Sequence, residues 1–288
     1  MTPFTTLLIL VSAGFHVVTH VALKMSRDRS AFVWWMLLWA GILYLPIPLL
    51  GWASIPPIGW GLMAFSAVFE AGYFAAIALA YRGADLSVVY PLARGTAPVL
   101  LLLWSLVFLN ESLTAGGVLG ILMITAGLYA VNLPRLGAWR EPLRALRRAG
   151  PRWALAAGAC TSAYTAIDKV GITHVPPLLY TYLALWMSLV LLTPWTVRLV
   201  GRKGLREELR SSRGGTALAG FTTLAAYGLV LLAMSRGVPA AYAGALREIS
   251  VVFGAAYGVF VLKEQGGPMR ILGAGFVALG AVMIGVLG

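Results

Sequence analysis

The 288-residue chain is 60% hydrophobic and only 11% charged, against roughly half apolar and a quarter charged in an ordinary globular domain. With a mean hydropathy of +0.85, this excludes a soluble enzyme, a disordered regulator and a secreted disulfide scaffold. At about 20 apolar residues per membrane helix, the chain has room for roughly ten spans. The 22 Lys and Arg against 10 Asp and Glu give a net charge of +12. The basic residues cluster between apolar stretches, so they read as topology anchors rather than as nucleic-acid contacts. The single cysteine, Cys160, allows no internal disulfide and no cysteine metal site, and reads as a small helix-packing residue.

Ten apolar segments are predicted in chain order, at 4–25, 31–52, 59–81, 86–109 and 116–133, then at 151–170, 177–199, 216–235, 240–262 and 268–287. The first lacks a basic start and carries His16, His20 and Lys24 toward its end, so it is expected to stay in the mature protein rather than act as a secretory signal. The fold class expected is an all-α integral membrane protein of ten transmembrane helices. The division expected is a first five-helix repeat over 1–133, a cytoplasmic basic linker over 134–150 and a second five-helix repeat over 151–288.

Most connections are short, which makes consecutive spans antiparallel neighbours. Two are long and basic: 134–150 holds Arg135, Arg140, Arg144, Arg147 and Arg148, and 200–215 holds Arg202, Lys203, Arg206, Arg210 and Arg213. The tight first loop adds Arg27 and Arg29. All three fall on one side if every segment spans, and the positive-inside rule makes that side cytoplasmic, with both termini outside. Trp139, Leu143 and Leu146 in one long loop, and Leu205 and Leu209 in the other, recur at helical spacing among arginines. Each loop is thus either a short interfacial helix on anionic headgroups or a solvated basic connection.

The two halves resemble each other. Arg82-Gly83, Arg94 and Glu111 in the first match Arg236-Gly237, Arg247 and Glu264 in the second, at an offset of 154 and then 153. Gly120 and Gly127 match Gly273 and Gly280 at the same 153, and Ala22-Leu23-Lys24 more weakly matches Ile167-Asp168-Lys169. Five spans per half is an odd number, so the second half enters the membrane from the opposite face. Such inverted repeats build a central cavity whose access switches sides.

An arrangement of five plus five spans, an Arg-Gly pair ending the third span of each half, and Asn110-Glu111 and Lys263-Glu264 after the fourth and ninth resembles the drug/metabolite transporter superfamily, and within it the EamA type. The length and the many aromatics are similar to the YddG-type aromatic amino acid exporters of bacteria. The resemblance covers nearly the whole chain. It implies a monomeric basket of helices, a cavity lined by the first, third, fourth, sixth, eighth and ninth spans, and export of small metabolites across the inner membrane.

Site residues follow from what should not face lipid. A charge at mid-membrane costs about 2.5 to 3.5 kcal/mol even on the lenient insertion scale and therefore meets a partner or a wet cavity. Glu70 lies 11 residues from each end of its segment; it reads as a proton carrier, as a partner for a substrate ammonium, or as half of a structural ion pair. Arg94 and Arg247 are repeat-related and sit at similar depths from opposite faces. Either fork suits a substrate carboxylate, while a pair between Arg94 and Glu70, or between Arg247 and an acid elsewhere, would be a scaffold. Glu248 adjoins Arg247, but adjacent helical side chains diverge. His16 and His20 share a helical face with Lys24. They read as a polar stripe toward the cavity, with His16 able to move a proton, and with no further ligand to complete a metal site. Asp168 and Lys169 close the sixth segment and read as an interface anchor or gate.

Most Trp residues near segment ends, Trp34, Trp35, Trp52, Trp60, Trp153 and Trp195, read as interface belts. Tyr73 and Tyr90 fall at helical spacing from Glu70 and Arg94, and Tyr164, Tyr227, Tyr242 and Trp104 are candidates to complete an aromatic lining. Gly116, Gly117, Gly120 and Gly127 in the fifth segment, with Gly273 and Gly280 in the tenth, predict close helix approach and struts rather than cavity walls. Pro91 and Pro98 predict a kinked fourth helix.

No nucleotide-binding Gly-rich signature is present, so the reading is a secondary transporter rather than a pump driven by ATP. Its expected cargo is small amphipathic metabolites, aromatic or neutral amino acids first, moved by alternating access. The expected partners are that small molecule, membrane lipids and, if Glu70 carries one, a proton; no nucleic acid, cofactor or metal is expected. Flipping of a lipid or a polyprenyl-linked sugar is the neighbouring reading. An integral membrane enzyme would need convergent acids, bases or a metal, and His16, His20 and His174 are dispersed in depth.

Overall fold

Prolines open many of the helices, where a missing N–H costs nothing because that donor has no intrahelical partner. In the computed structural model α1 spans Pro3–Lys24, α2 Arg29–Leu43, α3 Pro46–Gly51, α4 Pro57–Gly83, α5 Leu86–Val107 and α6 Ala115–Val131. A 3-10 turn at Leu136–Ala138 leads to α7, Ala149–Gly171, followed by α8, Pro177–Ser235, α9, Ala240–Arg247, and α10, Pro268–Leu287. Every residue is described except 84, 85, 132, 134, 141–143, 145 and 254–267, and the side chains of 24, 78, 81–83, 86–91 and 136 also lie outside the description. Side-chain caps start two helices: Thr2 accepts from the Thr5 N–H at 3.2 Å, and Asp28 from the Ala31 N–H at 2.9 Å. Five helical stretches among the described residues are long and apolar enough to cross a membrane, and large side chains such as Phe65, Val68, Val190 and Val282 stand exposed along them.

The helices fall on the predicted segments, except that 31–52 is divided between α2 and α3 by a turn at Tyr44 and Leu45, and with two further differences. The segments at 177–199 and 216–235 join through the basic loop into α8, whose backbone leaves helical geometry at Gly201 (φ +71°) and Ser212 (φ −133°). Glycine is needed at the first of these, because a Cβ disfavours positive φ. The three arms are 177–200, 202–211 and 213–235. The middle arm seats Leu205 and Glu208 against protein: Glu208 accepts from the backbone N–H groups of Arg27 (3.2 Å) and Asp28 (2.9 Å), and Trp35 Nε1 donates to Leu205 O at 2.8 Å. Secondly, the ninth segment changes helical type part-way along. α9 stops at Arg247, and Glu248 and Ile249 form a turn closed by i→i−3 bonds before helix resumes at Ser250. The rest of that segment lies outside the described residues, as do Lys263 and Glu264.

Packing is almost entirely between the halves. α6 lies on α10, α4 on α7, α1 on the 213–235 arm of α8, and α2 between the two long arms of α8. The α6–α10 contact is antiparallel and glycine-mediated. A Cβ on Gly120 would stand 2.7 Å from the Gly280 carbonyl, and one on Gly127 2.6 Å from that of Gly273. The termini meet at one end of the bundle, where the Met1 amino group donates to Gly288 O at 3.4 Å.

Candidate functional site

A cavity of about 450 Å³ enters the bundle at the α1–α2 turn, at the end away from the termini. Its mouth is set by Ser26 to Ser30 with Trp34, Trp195 and Thr196, and its depth by His16, Glu70, Tyr164, Tyr227, Arg247 and Glu248. α2 and the 177–200 arm therefore wall the mouth, adding the second and seventh segments to the six implied by the family resemblance. No described residue of α6 or α10 enters the lining, as expected of struts.

Glu70 is buried in the wall, 6% exposed, and Ser188 Oγ donates to its Oε2 at 2.5 Å. No described cation pairs with it, because Arg94 goes elsewhere: its Nη1 donates to Glu248 Oε2 at 2.9 Å and Oε1 at 3.2 Å. Its Nη2 meets His16 Nε2 at 3.0 Å and His20 Nε2 at 2.6 Å, and the two imidazoles touch each other at 2.9 Å. The predicted histidine face is thus on the cavity wall, engaged by an arginine. Glu248 is the member that sequence reasoning set aside. Its adjacency to Arg247 indeed gives no pair, yet the turn at 248–249 aims it at α5, and no sequence pattern marks that turn.

Arg247 lines the cavity at 9% exposure, and its Nε is buried without a hydrogen-bond partner among the described residues. Tyr164 and Tyr227 meet edge to face with centroids 5.9 Å apart, and Tyr73 lines the same wall. Two predicted lining aromatics are placed elsewhere. Tyr242 is buried against Gly117 and its hydroxyl accepts from the Thr114 N–H at 2.8 Å. Trp104 donates to Ser162 Oγ at 3.0 Å. The side chains of Tyr90 and Pro91 lie outside the described residues, and α5 runs on through Pro98 as one helix.

Beneath the cavity floor the bundle is closed. Asp168, expected near the outer surface, is fully buried and accepts hydrogen bonds from Ser66 (2.5 Å) and the Tyr227 hydroxyl. Next to it, Lys169 Nζ donates to Val238 O at 2.8 Å and Met234 O at 2.9 Å, and stands 3.7 Å from Glu111 Oε1. The Glu111 carboxylate caps α9 through the Ala240 N–H at 2.8 and 2.9 Å. Lys169 and Glu111 therefore form a latch that ties the ends of α5, α7, α8 and α9. Among the described residues no cluster of three potential metal ligands occurs.

The EamA-like transporter family model matches residues 3–133 and again 148–286. A comparison with curated proteins gives no match. The crystal structure of another protein superposes with a TM-score of 0.72 at 17% identity, over 100% of this chain and 98% of that one, which shows a shared fold. With its two family matches covering almost the whole length and its apolar helices laid around one cavity, the chain belongs to the EamA-like transporter family and is a multi-pass membrane protein.

Proposed function

We propose that this protein is a secondary transporter that exports small amphipathic metabolites, aromatic or neutral amino acids foremost, across the bacterial inner membrane by alternating access. The observation that carries this reading is a cavity open at one end, floored by buried ionisable groups from both halves and latched shut at the other end. A charge held at that depth meets either a partner or a wet cavity, and no described cation pairs with Glu70.

The packing supports two inverted repeats, 1–133 and 151–288, joined by a linker at 134–150. Exchanging the halves carries the α4–α7 contact onto that of α1 with the last arm of α8. It carries α6 on α10 onto itself, with Gly120 on Gly280 and Gly127 on Gly273 changing places. Ten spans divided in this way place the arginine-rich loops in the cytoplasm, so the cavity faces the cytoplasm and the termini and latch face outward. Export then requires closing the mouth and breaking the latch, an exchange of conformations between the halves.

Within that cycle Glu70 is the group we assign to coupling or to a substrate ammonium, with Tyr73, Tyr164 and Tyr227 as the apolar wall. His16, His20 and Arg94 form a network that fixes Glu248, and Tyr90 lies one turn before Arg94 on α5. Tyr242 we assign to the closed end rather than to substrate. Uptake of labelled phenylalanine and alanine into liposomes holding the purified protein, with and without a pH gradient, tests the proposal. Uphill movement driven by the gradient supports proton coupling, movement that only equilibrates supports a facilitator, and absence of movement of either amino acid refutes the amino acid assignment.

A further inference from the structure

Of the four described arginines that line the cavity, Arg94 and Arg247 lie deeper than Arg27 and Arg29 at the mouth and are related by the internal repeat, yet their surroundings differ. Arg94 is committed: Glu248 takes its charge, and both cavity histidines take its second nitrogen. Arg247 makes no hydrogen bond or ion pair to any described residue, and its Nε is fully enclosed. A guanidinium cannot shed its proton to escape burial, and an isolated buried charge is tolerated only when a counter-charge reaches it. None of the described floor acids forms an ion pair with Arg247: Glu248 is paired with Arg94, Asp168 accepts from Ser66 and Tyr227 and reaches Arg247 only at longer Coulombic range, and Glu70 accepts from Ser188.

A second feature converges on the same place. Directly after Arg247 the helix tightens into a 3-10-like turn at Glu248 and Ile249, closed by i→i−3 bonds. A stretch of 3-10 geometry inside a longer helix often marks a functional hinge. The opposite wall offers the edge-to-face pair of Tyr164 and Tyr227, a surface for an apolar or aromatic body.

We propose that Arg247 is the anion-binding group of the cavity and receives the carboxylate of the transported metabolite. This rests on the transporter reading and narrows it to cargo with one negative group. Among the described residues deep in the cavity, Arg247 is the guanidinium without a partner and matches a singly charged carboxylate; a doubly charged phosphate there would need a second cation, whereas Arg94 is taken and Arg27 and Arg29 stand at the mouth. Arg247 thus acts in recognition and Arg94 in positioning Glu248.

The test uses the full-length protein in detergent and follows quenching of its tryptophan fluorescence, for which Trp34 and Trp195 at the mouth serve as reporters. The probes are phenylalanine, 3-phenylpropionate, phenylalaninamide and phenyl phosphate. Phenylalanine and 3-phenylpropionate should bind at least about tenfold more tightly than the amide, the size of a single charge-assisted contact. In Arg247→Gln the preference should fall to within about twofold, and Arg247→Lys should keep part of it. Should Arg247→Gln fail to fold, the wild-type ratio and the lysine variant still decide. Equal binding of acid and amide by the wild type, an undiminished preference in Arg247→Gln, or no binding of either carboxylate overturns the proposal. Tighter binding of phenyl phosphate than of 3-phenylpropionate overturns its restriction to carboxylates. Liposome uptake of the amide with no preference for acids would remove the anion site and leave transport standing. Binding of acids without movement would do the reverse.

Discussion

Glu111→Ala should loosen the end of the bundle that this structure holds shut. The carboxylate of Glu111 caps α9 through the Ala240 N–H and lies 3.7 Å from Lys169, whose ammonium also holds the carbonyls of Met234 and Val238. Loss of a helix cap costs about 0.5 to 2 kcal/mol. The ion pair adds at most about 1 kcal/mol, since the lysine side chain is a fifth exposed and solvent screens it. A total of about 0.5 to 3 kcal/mol, if these contacts exist only in the latched state, shifts the two-state balance by roughly 2 to 150-fold. Val238 is buried at the latch and contributes only backbone to it, so Val238→Cys in a Cys160→Ser background makes a probe. An impermeant maleimide added from the terminus side should label that cysteine roughly 2 to 150 times faster once Glu111→Ala is introduced. A rate unchanged within about twofold would refute the assignment of Glu111 as a latch.

Other outcomes follow from packing and topology. Gly120→Leu forces a side chain where the Gly280 carbonyl and Ile284 stand within 2.8 Å of the added Cβ, so it should cost about 1 to 3 kcal/mol or more and lower the melting temperature in detergent; Gly14→Ala, which meets nothing within 4 Å, should not. Arg94→Gln strands the buried Glu248 carboxylate and should destabilise the fold by about 3 to 5 kcal/mol, with Arg94→Lys recovering part of the loss in the same melting experiment. A reporter fused after Gly288 should read as external, and a cytoplasmic signal would reverse the sidedness of the cavity and latch.

Hydropathy placed the helices well because burial in lipid is a local property of each segment, and the glycine spacing of α6 and α10 foretold their contact because close approach needs small residues on both partners. What escaped sequence reading is tertiary. The helical seat of the basic loop on Asp28 and Arg27 depends on Glu208, which reads in sequence as one more charge in a polar stretch. Asp168 sits near the end of its segment and so looked peripheral, but α4 and the last arm of α8 close over it through Ser66 and Tyr227. Arg94 was readable as a buried cation, whereas its partner was not, since Glu248 reaches it only through a turn that tightens the ninth segment without Gly or Pro. Tyr242 shows the limit of counting aromatics: placed like its fellows in sequence, it serves Thr114 and Gly117 instead of the cavity.

The most direct measurement of the central claim is counterflow of labelled phenylalanine in liposomes, wild type beside Glu70→Gln, at matched protein content and with equal melting temperatures. Glutamine keeps the size of the side chain and an acceptor for the hydrogen bond from Ser188 while removing the charge. Saturable counterflow in the wild type that is lost in Glu70→Gln, or that no longer varies with pH, is the predicted result. Equal counterflow by both proteins at every pH would contradict a cycle that runs through the Glu70 cavity.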